Sequence, residues 1–386
     1  MKDSGIEWIG EIPEGWEVVQ LKRFAEVHNG REIDVEVDST DSSAVGVYGS
    51  GGVFKYTNRA QYSGKAVLFG RKGTLGKPLY VEGQLWAVDT MYFLTYSNRL
   101  LEKFSYYQFL AFNWAPYITH TAIPSVVASE IVACYFPIPP LEEQAKIADY
   151  LDNGCASLDT ILDKTRSSIE EYKKLKQAVI TQAVTKGVRD EREMKNCNIG
   201  WIKELPSDWG IIPSKYLFKN SDMKKINGDE QLTASQQHGI ITQKYYTELT
   251  GSKVVLANKG LDDWKHVEPF DFIISLRSFQ GGLEMSETTG CITWHYIVLK
   301  PCRPIYSYYY KWLFKSEIYI RALQRTCNFI RDGQDLRYSN FVQVPLFEPP
   351  LEEQKEIADY LNGKCAEIDG LIAKKEQLVK ELESYK

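Results

Sequence analysis

From Leu151 onward, apolar residues return every three or four positions. The steps at 151, 155, 158, 162, 165, 169, 172, 176, 179 and 183 carry Leu, Cys, Leu, Leu, Thr, Ile, Tyr, Lys, Val and Ala. Apart from its polar members, this is a heptad seam along one face of a helix. A second stretch keeps the same phase with Leu361, Cys365, Ile368, Ile372, Lys375, Val379 and Leu382. Its polar interruption, Lys375, falls at the step taken by Thr165. Each stretch follows a proline pair: PPLEEQAKIADYL begins at Pro139 and PPLEEQKEIADYL at Pro349. Proline suits a first helical turn, where its missing N–H costs nothing, and blocks extension backwards. Glu142 and Glu143 sit where the helix dipole favours anions. The spacing predicts two long helices that pair as an antiparallel coiled coil; packing of each helix on its own globule is the alternative. The first helix spans roughly 45 residues, about 65 Å at 1.5 Å per residue. Asn153-Gly154 and Asn362-Gly363 predict a kink in each.

The pattern is different over residues 17–138 and 210–348. Short apolar runs such as KAVLFG, LWAVDTMYFLTY, DFIISL and CITWHYIVL read as strands broken by turns. LEKFSYYQFLAFNW and YYYKWLFKSEIYIRALQ read as helices between them. A further repeat leads each segment: IEWIGEIPEGW (6–16) matches IGWIKELPSDW (199–209) at an offset of 193, whereas the proline-pair motifs are offset by 210. The second segment is therefore 17 residues longer. A duplicated unit of this size means two similar domains in series, not a solenoid of short repeats. The fold class is α+β: two similar mixed α/β domains, separated and joined by long helices that form an antiparallel coiled coil with a pseudo-twofold relation. The expected division is 1–139, 140–188, 189–349 and 350–386.

Composition narrows the function. The chain of 386 residues has no apolar run of membrane-spanning length, and its first residues lack the apolar core of a signal peptide. Seven scattered cysteines without a CxxC pair argue against a disulfide framework or a zinc site and for a cytoplasmic setting. The net charge of −5 does not favour a polyanion, but charge is segregated: residues 55–77 hold six basic side chains and no acid.

Motifs for catalysis are not convincing. GRKGTLGK (70–77) has the glycines of a phosphate loop at the wrong spacing, and Pro78 stands where Ser or Thr would hold magnesium. YGSGG is not a dinucleotide fingerprint, and both proline pairs precede leucine, not the tyrosine of an amino-methyltransferase motif. No cofactor or metal is expected on this chain. Binding remains. Arg71 and Lys72 lie in a glycine-spaced turn after a strand, with Lys55, Thr74 and Lys77 nearby. Glycines let backbone N–H groups approach phosphates, and Arg or Lys can read guanine edges. A solvated hairpin tip is the plain alternative. In the second segment Ser235, Gln236, Gln237 and His238 form one polar cluster, and Arg277, Ser278 and Gln280 another. Arg331 and Arg337 add positive charge. Each alone is ordinary surface; recurring in both halves, they point to nucleic acid.

Taken in order, WIGEIPEGW, YGSGG…GRKGTLGK…DT, SQQHGI…SLRSFQGG and the doubled PPLEEQ…IADYL resemble a specificity subunit of a type I restriction–modification enzyme over essentially the whole chain. The resemblance implies two target-recognition domains, each reading half of a split site in double-stranded DNA. It also implies a helical rod that sets the gap and docks two methyltransferase subunits, with restriction subunits where the system cleaves. S-adenosylmethionine and ATP would then act on the partner subunits, and this chain would be non-catalytic. A scaffold whose globules bind protein, and an intact methyltransferase, are the competing expectations.

Overall fold

The computed structural model describes residues 1–6, 9–119, 122–235, 238–251, 260–275, 282–327 and 336–386. Contacts divide the chain into two compact units, residues 1–161 with Lys386, and residues 162–385. The boundary falls inside one continuous helix, Leu141–Lys186.

The first unit is organised by a six-stranded sheet. Its order is Ala25–Asn29, Met91–Tyr96, Tyr62–Gly70, Leu79–Ala87, Val45–Gly49 and Gly52–Thr57. Neighbours are antiparallel except for Val45–Gly49 beside Leu79–Ala87. After Lys65, the run AVLFG is apolar because it is buried on both faces. Val67 and Phe69 pack with Leu94, Phe104, Phe109 and Phe136, while Ala66 and Leu68 pack with Leu85 and Phe93 on the opposite side. The expected helix after Leu101 forms as Glu102–Ala111.

The second unit repeats the first four places of that sheet in the order Phe218–Ser221, Ile297–Pro301, Phe272–Ile274 and Glu284–Met285. Two sequence readings are refined here. CITWHYIVL is not one strand but two, Gly290–Ile292 and Ile297–Pro301, with a turn between them. The long helical stretch divides into Ser307–Lys315 and Glu317–Gln324, because the Ser316 hydroxyl accepts from Tyr319 N (3.4 Å) and starts a new helix.

The repeated letters do the same work in both units. In the first, the Trp16 indole donates to Glu143 (3.1 Å). Gln144 Nε2 donates to the carbonyl of Pro139 (2.8 Å), and its Oε1 accepts from Leu101 N (2.8 Å). In the second, Trp209 donates to Glu353 (3.0 Å), Gln354 donates to Pro349 O (2.8 Å) and accepts from Tyr306 N (2.8 Å). Further along each helix, Tyr107 donates to Asp152 (2.5 Å) and Trp312 to Asn362 (3.0 Å). Gln144 is fully buried and Gln354 is 2% exposed, so these amides satisfy backbone groups that water does not reach. Beside each clasp the two ends of the globule meet as antiparallel strands, Glu17–Gln20 with Tyr135–Ile138 and Gly210–Ile212 with Leu346–Glu348.

Within the second unit, Leu351–Tyr385 runs antiparallel to the later part of Leu141–Lys186. Lys176 pairs with Asp369 (2.6 Å) and Arg166 with Glu383 (2.5 Å), so numbers rise on one helix as they fall on the other. The predicted seam is the covered face: Leu162, Thr165, Ile169 and Ala183 are buried on one helix and Leu361, Cys365 and Ile368 on the other, and Ala183 shares a cluster with Leu361 and Cys365. Lys375 is accommodated with its ammonium 5.7 Å from the Tyr172 ring centroid, a cation–π contact that lets the charge stay in the seam. Both Asn-Gly pairs lie inside unbroken helix, and a Cβ at Gly154 or Gly363 would meet nothing.

Candidate nucleic-acid interface

The loop after strand Tyr62–Gly70 turns tightly. A Cβ on Gly70 would lie 2.2 Å from Thr74 O, and Gly73 and Gly76 have φ of +83° and +72°. Glycine is required for this close approach and these left-handed conformations. The backbone N–H groups do not face outward, however. Arg71 N and Lys72 N donate to Thr90 O (2.7 and 3.3 Å), and Gly73 N donates to Pro124 O (2.9 Å). These donors hold the loop against its neighbours, so recognition here falls to side chains. Lys72, Thr74 and Lys77 are exposed. Arg71 is half-buried, with its guanidinium 5.7 Å from the Tyr92 ring centroid. None of the three cations has a carboxylate in ion-pair range among the described residues.

The rest of the basic stretch is different. Lys55 pairs with Glu36 (2.7 Å), Arg59 with Asp34, and Lys65 with Glu82 (3.8 Å). Acids distant in sequence therefore partner half of the six cations. These pairs are exposed, so they contribute little stability, but they shrink the free positive surface to Arg71, Lys72 and Lys77. Lys55 is the site residue this affects.

In the second unit, Ser235 ends the strand Leu232–Ser235 and its hydroxyl accepts from His238 N (3.3 Å). His238 is exposed at the turn into Gly239–Thr242. Gln236, Gln237, Arg277, Ser278, Gln280 and Arg331 lie outside the described residues. Arg337 is exposed, and its N–H donates to Asn340 Oδ1 (3.0 Å) at the start of Tyr338–Phe341. Next to His238, a cavity of about 560 Å³ is lined by Thr242, Tyr245, Glu284, Met285 and Lys315. Glu284 is 6% exposed and paired with Lys315. Burial raises its carboxyl above the usual range, and the Lys315 charge opposes the rise.

Among the described residues, two ionic groups resemble parts of catalytic sets. His266 Nδ1 and Asp229 lie 2.9 Å apart, but Nε2 faces Glu268 at 3.8 Å rather than a hydroxyl or thiol. Lys300 joins Glu268 to the buried Asp271 (2.9 Å). Among the described residues, no group of His, Cys, Asp and Glu is placed to hold a metal ion. The turn Thr293–Tyr296, with Trp294 and His295 exposed, was not singled out from the sequence. Its only signal there was two rings inside an apolar run.

Comparison with known proteins shows what the chain is similar to. Residues 13–171 match the family described as the type I restriction modification DNA specificity domain. The chain is 24% identical over 419 residues to a putative type I restriction enzyme MjaX specificity subunit of Methanocaldococcus jannaschii, covering 98% of this chain and 92% of that protein. Its fold is similar to a solved chain from work on the complex assembly and conformational transition of the type I R-M system. That match has a TM-score of 0.66 and 15% identity, over 97% of this chain and 96% of the other. It is also similar to the HsdS subunit from Thermoanaerobacter tengcongensis, with a TM-score of 0.52 and 16% identity over 98% and 96% of the two chains. No helix among the described residues is long and apolar enough to cross a membrane.

Proposed function

We propose, from these similarities, that the chain works as a type I restriction–modification specificity subunit whose parts divide the work of DNA recognition. Each globule reads one half of a bipartite site in double-stranded DNA. The paired helices set the gap between the half-sites and offer two equivalent docking positions to two methyltransferase subunits. The observation that carries this reading is the doubled clasp. Trp16, Glu143 and Gln144 are repeated as Trp209, Glu353 and Gln354, with the same bonds made in each unit. The frame that meets the partners is copied, while the surfaces that would meet DNA differ in sequence and length. Two equivalent partner contacts with two different readers is what a split, asymmetric DNA site requires.

In this reading the chain is non-catalytic and works in the cytoplasm. S-adenosylmethionine and ATP are bound by partner subunits, methylation falls on adenine in each half-site, and restriction subunits join where the system cleaves. In the first unit Arg71, Lys72, Thr74 and Lys77 contact DNA, with Lys55 at the margin because of Glu36. In the second, Ser235, Gln236, Gln237, His238, Arg277, Ser278, Gln280, Arg331 and Arg337 do so.

The test is a chimera in which residues 1–139 are replaced by the matching domain of a relative, followed by mapping of methylated adenines in cells that also carry the partner subunits. One half-site should change, and the other half-site and the gap should persist. A change in both halves, or in the gap, would refute the two-reader reading. A protein-binding scaffold would leave no methylation motif to follow.

A further inference from the structure

The turn Thr293–Tyr296 is closed twice by its first residue. Thr293 O accepts from Tyr296 N (3.1 Å), and Thr293 Oγ1 accepts from His295 N (3.3 Å). These bonds fix the two central residues. Trp294 leaves 55% of its surface exposed. Its indole lies on the His295 imidazole with centroids 3.5 Å apart and 29° between planes. Tryptophan is the largest apolar side chain, and a surface position leaves that area in water. Here the turn and the stacked imidazole hold it as a flat, preformed platform.

Its place in the sheet is informative. Ile297 pairs with Ile274, so the turn sits at the end of Phe272–Ile274. In the first unit, the equivalent strand Met91–Tyr96 pairs with Tyr62–Gly70 through Gly70 and Met91. Thr90, just before it, holds the Arg71–Lys72 loop through its carbonyl. The residues that brace the basic loop in one unit are thus replaced by two stacked rings in the other, at the same edge of the sheet.

We infer that Trp294, backed by His295, is a specificity-determining base contact of the second unit, and that it reads the 5-methyl group of a thymine in the major groove. This rests on the second unit reading DNA. A flat apolar face offers little hydrogen bonding but matches the one apolar group on a base edge, the thymine methyl, which marks an A·T pair. The contact is to a base and not to phosphate, so it adds discrimination without adding salt dependence.

The experiment uses the subunit assembled with its methyltransferase partners and a duplex bearing the motif methylated in host cells. Each thymine is replaced in turn by deoxyuridine, which removes only the methyl group. The wild-type complex should lose about fourfold in affinity at one position, the worth of one buried methyl. Trp294→Ala should be insensitive at that position and relax that half-site, with an unchanged salt slope; Trp294→Phe should keep part of the preference. Trp294→Ala should keep the wild-type preference in the opposite half-site, the one that Arg71→Ala relaxes, which shows that its complex is still folded and still reads with its first unit. If Trp294→Ala responds to every deoxyuridine as the wild type does, the inference is overturned. A wild-type complex that shows no preference in the half-site left intact by Arg71→Ala would instead overturn DNA reading by the second unit, and this inference with it.

Discussion

Replacing Gln354 by alanine tests whether the repeated motif is a structural clasp. Gln354 donates to Pro349 O and accepts from Tyr306 N, both at 2.8 Å, and only 2% of the residue is exposed. Truncation leaves one carbonyl and one N–H without their partner. A buried unsatisfied group costs about 1–3 kcal/mol. Tyr306 is half-buried, so water can replace part of its loss; the sum expected is about 2–4 kcal/mol. The loss should appear locally, as faster amide exchange in the strand pair Gly210–Ile212 and Leu346–Glu348. The pair Glu17–Gln20 and Tyr135–Ile138 should be unaffected. Gln144→Ala should give the mirror image. Gln354→Glu adds a sign test: an ionised carboxylate cannot donate to Pro349 O, whereas a protonated one can, so this variant should regain protection as pH falls. If Gln354→Ala exchanges like the wild type in both units, the glutamine serves a partner surface and the clasp is incidental.

Leu162→Asp places a carboxylate in the packed seam, where Leu162 is 4% exposed; it should cost several kcal/mol and be read as lost amide protection along both helices and reduced recovery of partner subunits. Arg71→Ala should weaken binding by the assembled complex by about 1–3 kcal/mol and relax one half-site, whereas Lys72→Ala should keep the preference and lower the salt slope by about 1. Glu284 has its carboxyl raised above the ordinary 4.5, first by burial. The folded state therefore holds that proton more tightly than the unfolded chain, and the stability this contributes is full below 4.5 and lost as pH rises through the folded value. Relative to Glu284→Gln, the wild type should gain stability as pH is lowered from 7 towards 4.5; a gap that stays constant across that range would contradict the assigned cause.

The seam was legible because a heptad repeat is a local pattern: every partly apolar step from Leu162 to Ala183 and from Leu361 to Leu382 lies on the covered face. The helix starts were legible because proline pairs limit helices in one direction. The clasp was not. The sequence marks Glu143 as a favourable charge in a first turn, and nothing local shows that the indole partners of Glu143 and Glu353 come from 127 and 144 residues away. The basic stretch misled for the same reason, since Glu36, Asp34 and Glu82 lie outside it or on the paired strand. The Asn-Gly pairs interrupt neither helix, and Asn362 is anchored by Trp312. Packing outweighs a propensity cost of about 1 kcal/mol.

Because each globule enters and leaves through two adjacent antiparallel strands, it is topologically a single closed loop set on a fixed stem. Closing a loop of roughly 120 residues is entropically costly, but the cost grows only with the logarithm of length. Adding the 17 residues that distinguish the second globule from the first raises it by only about 0.1 kcal/mol. Length changes inside a reader are therefore nearly free to the chain, while a change in the stem is felt at once by Gln144 or Gln354. Insertions, deletions and wholesale exchange of readers can accumulate without a matching adjustment of the helices. The chain is built to vary where variation costs least.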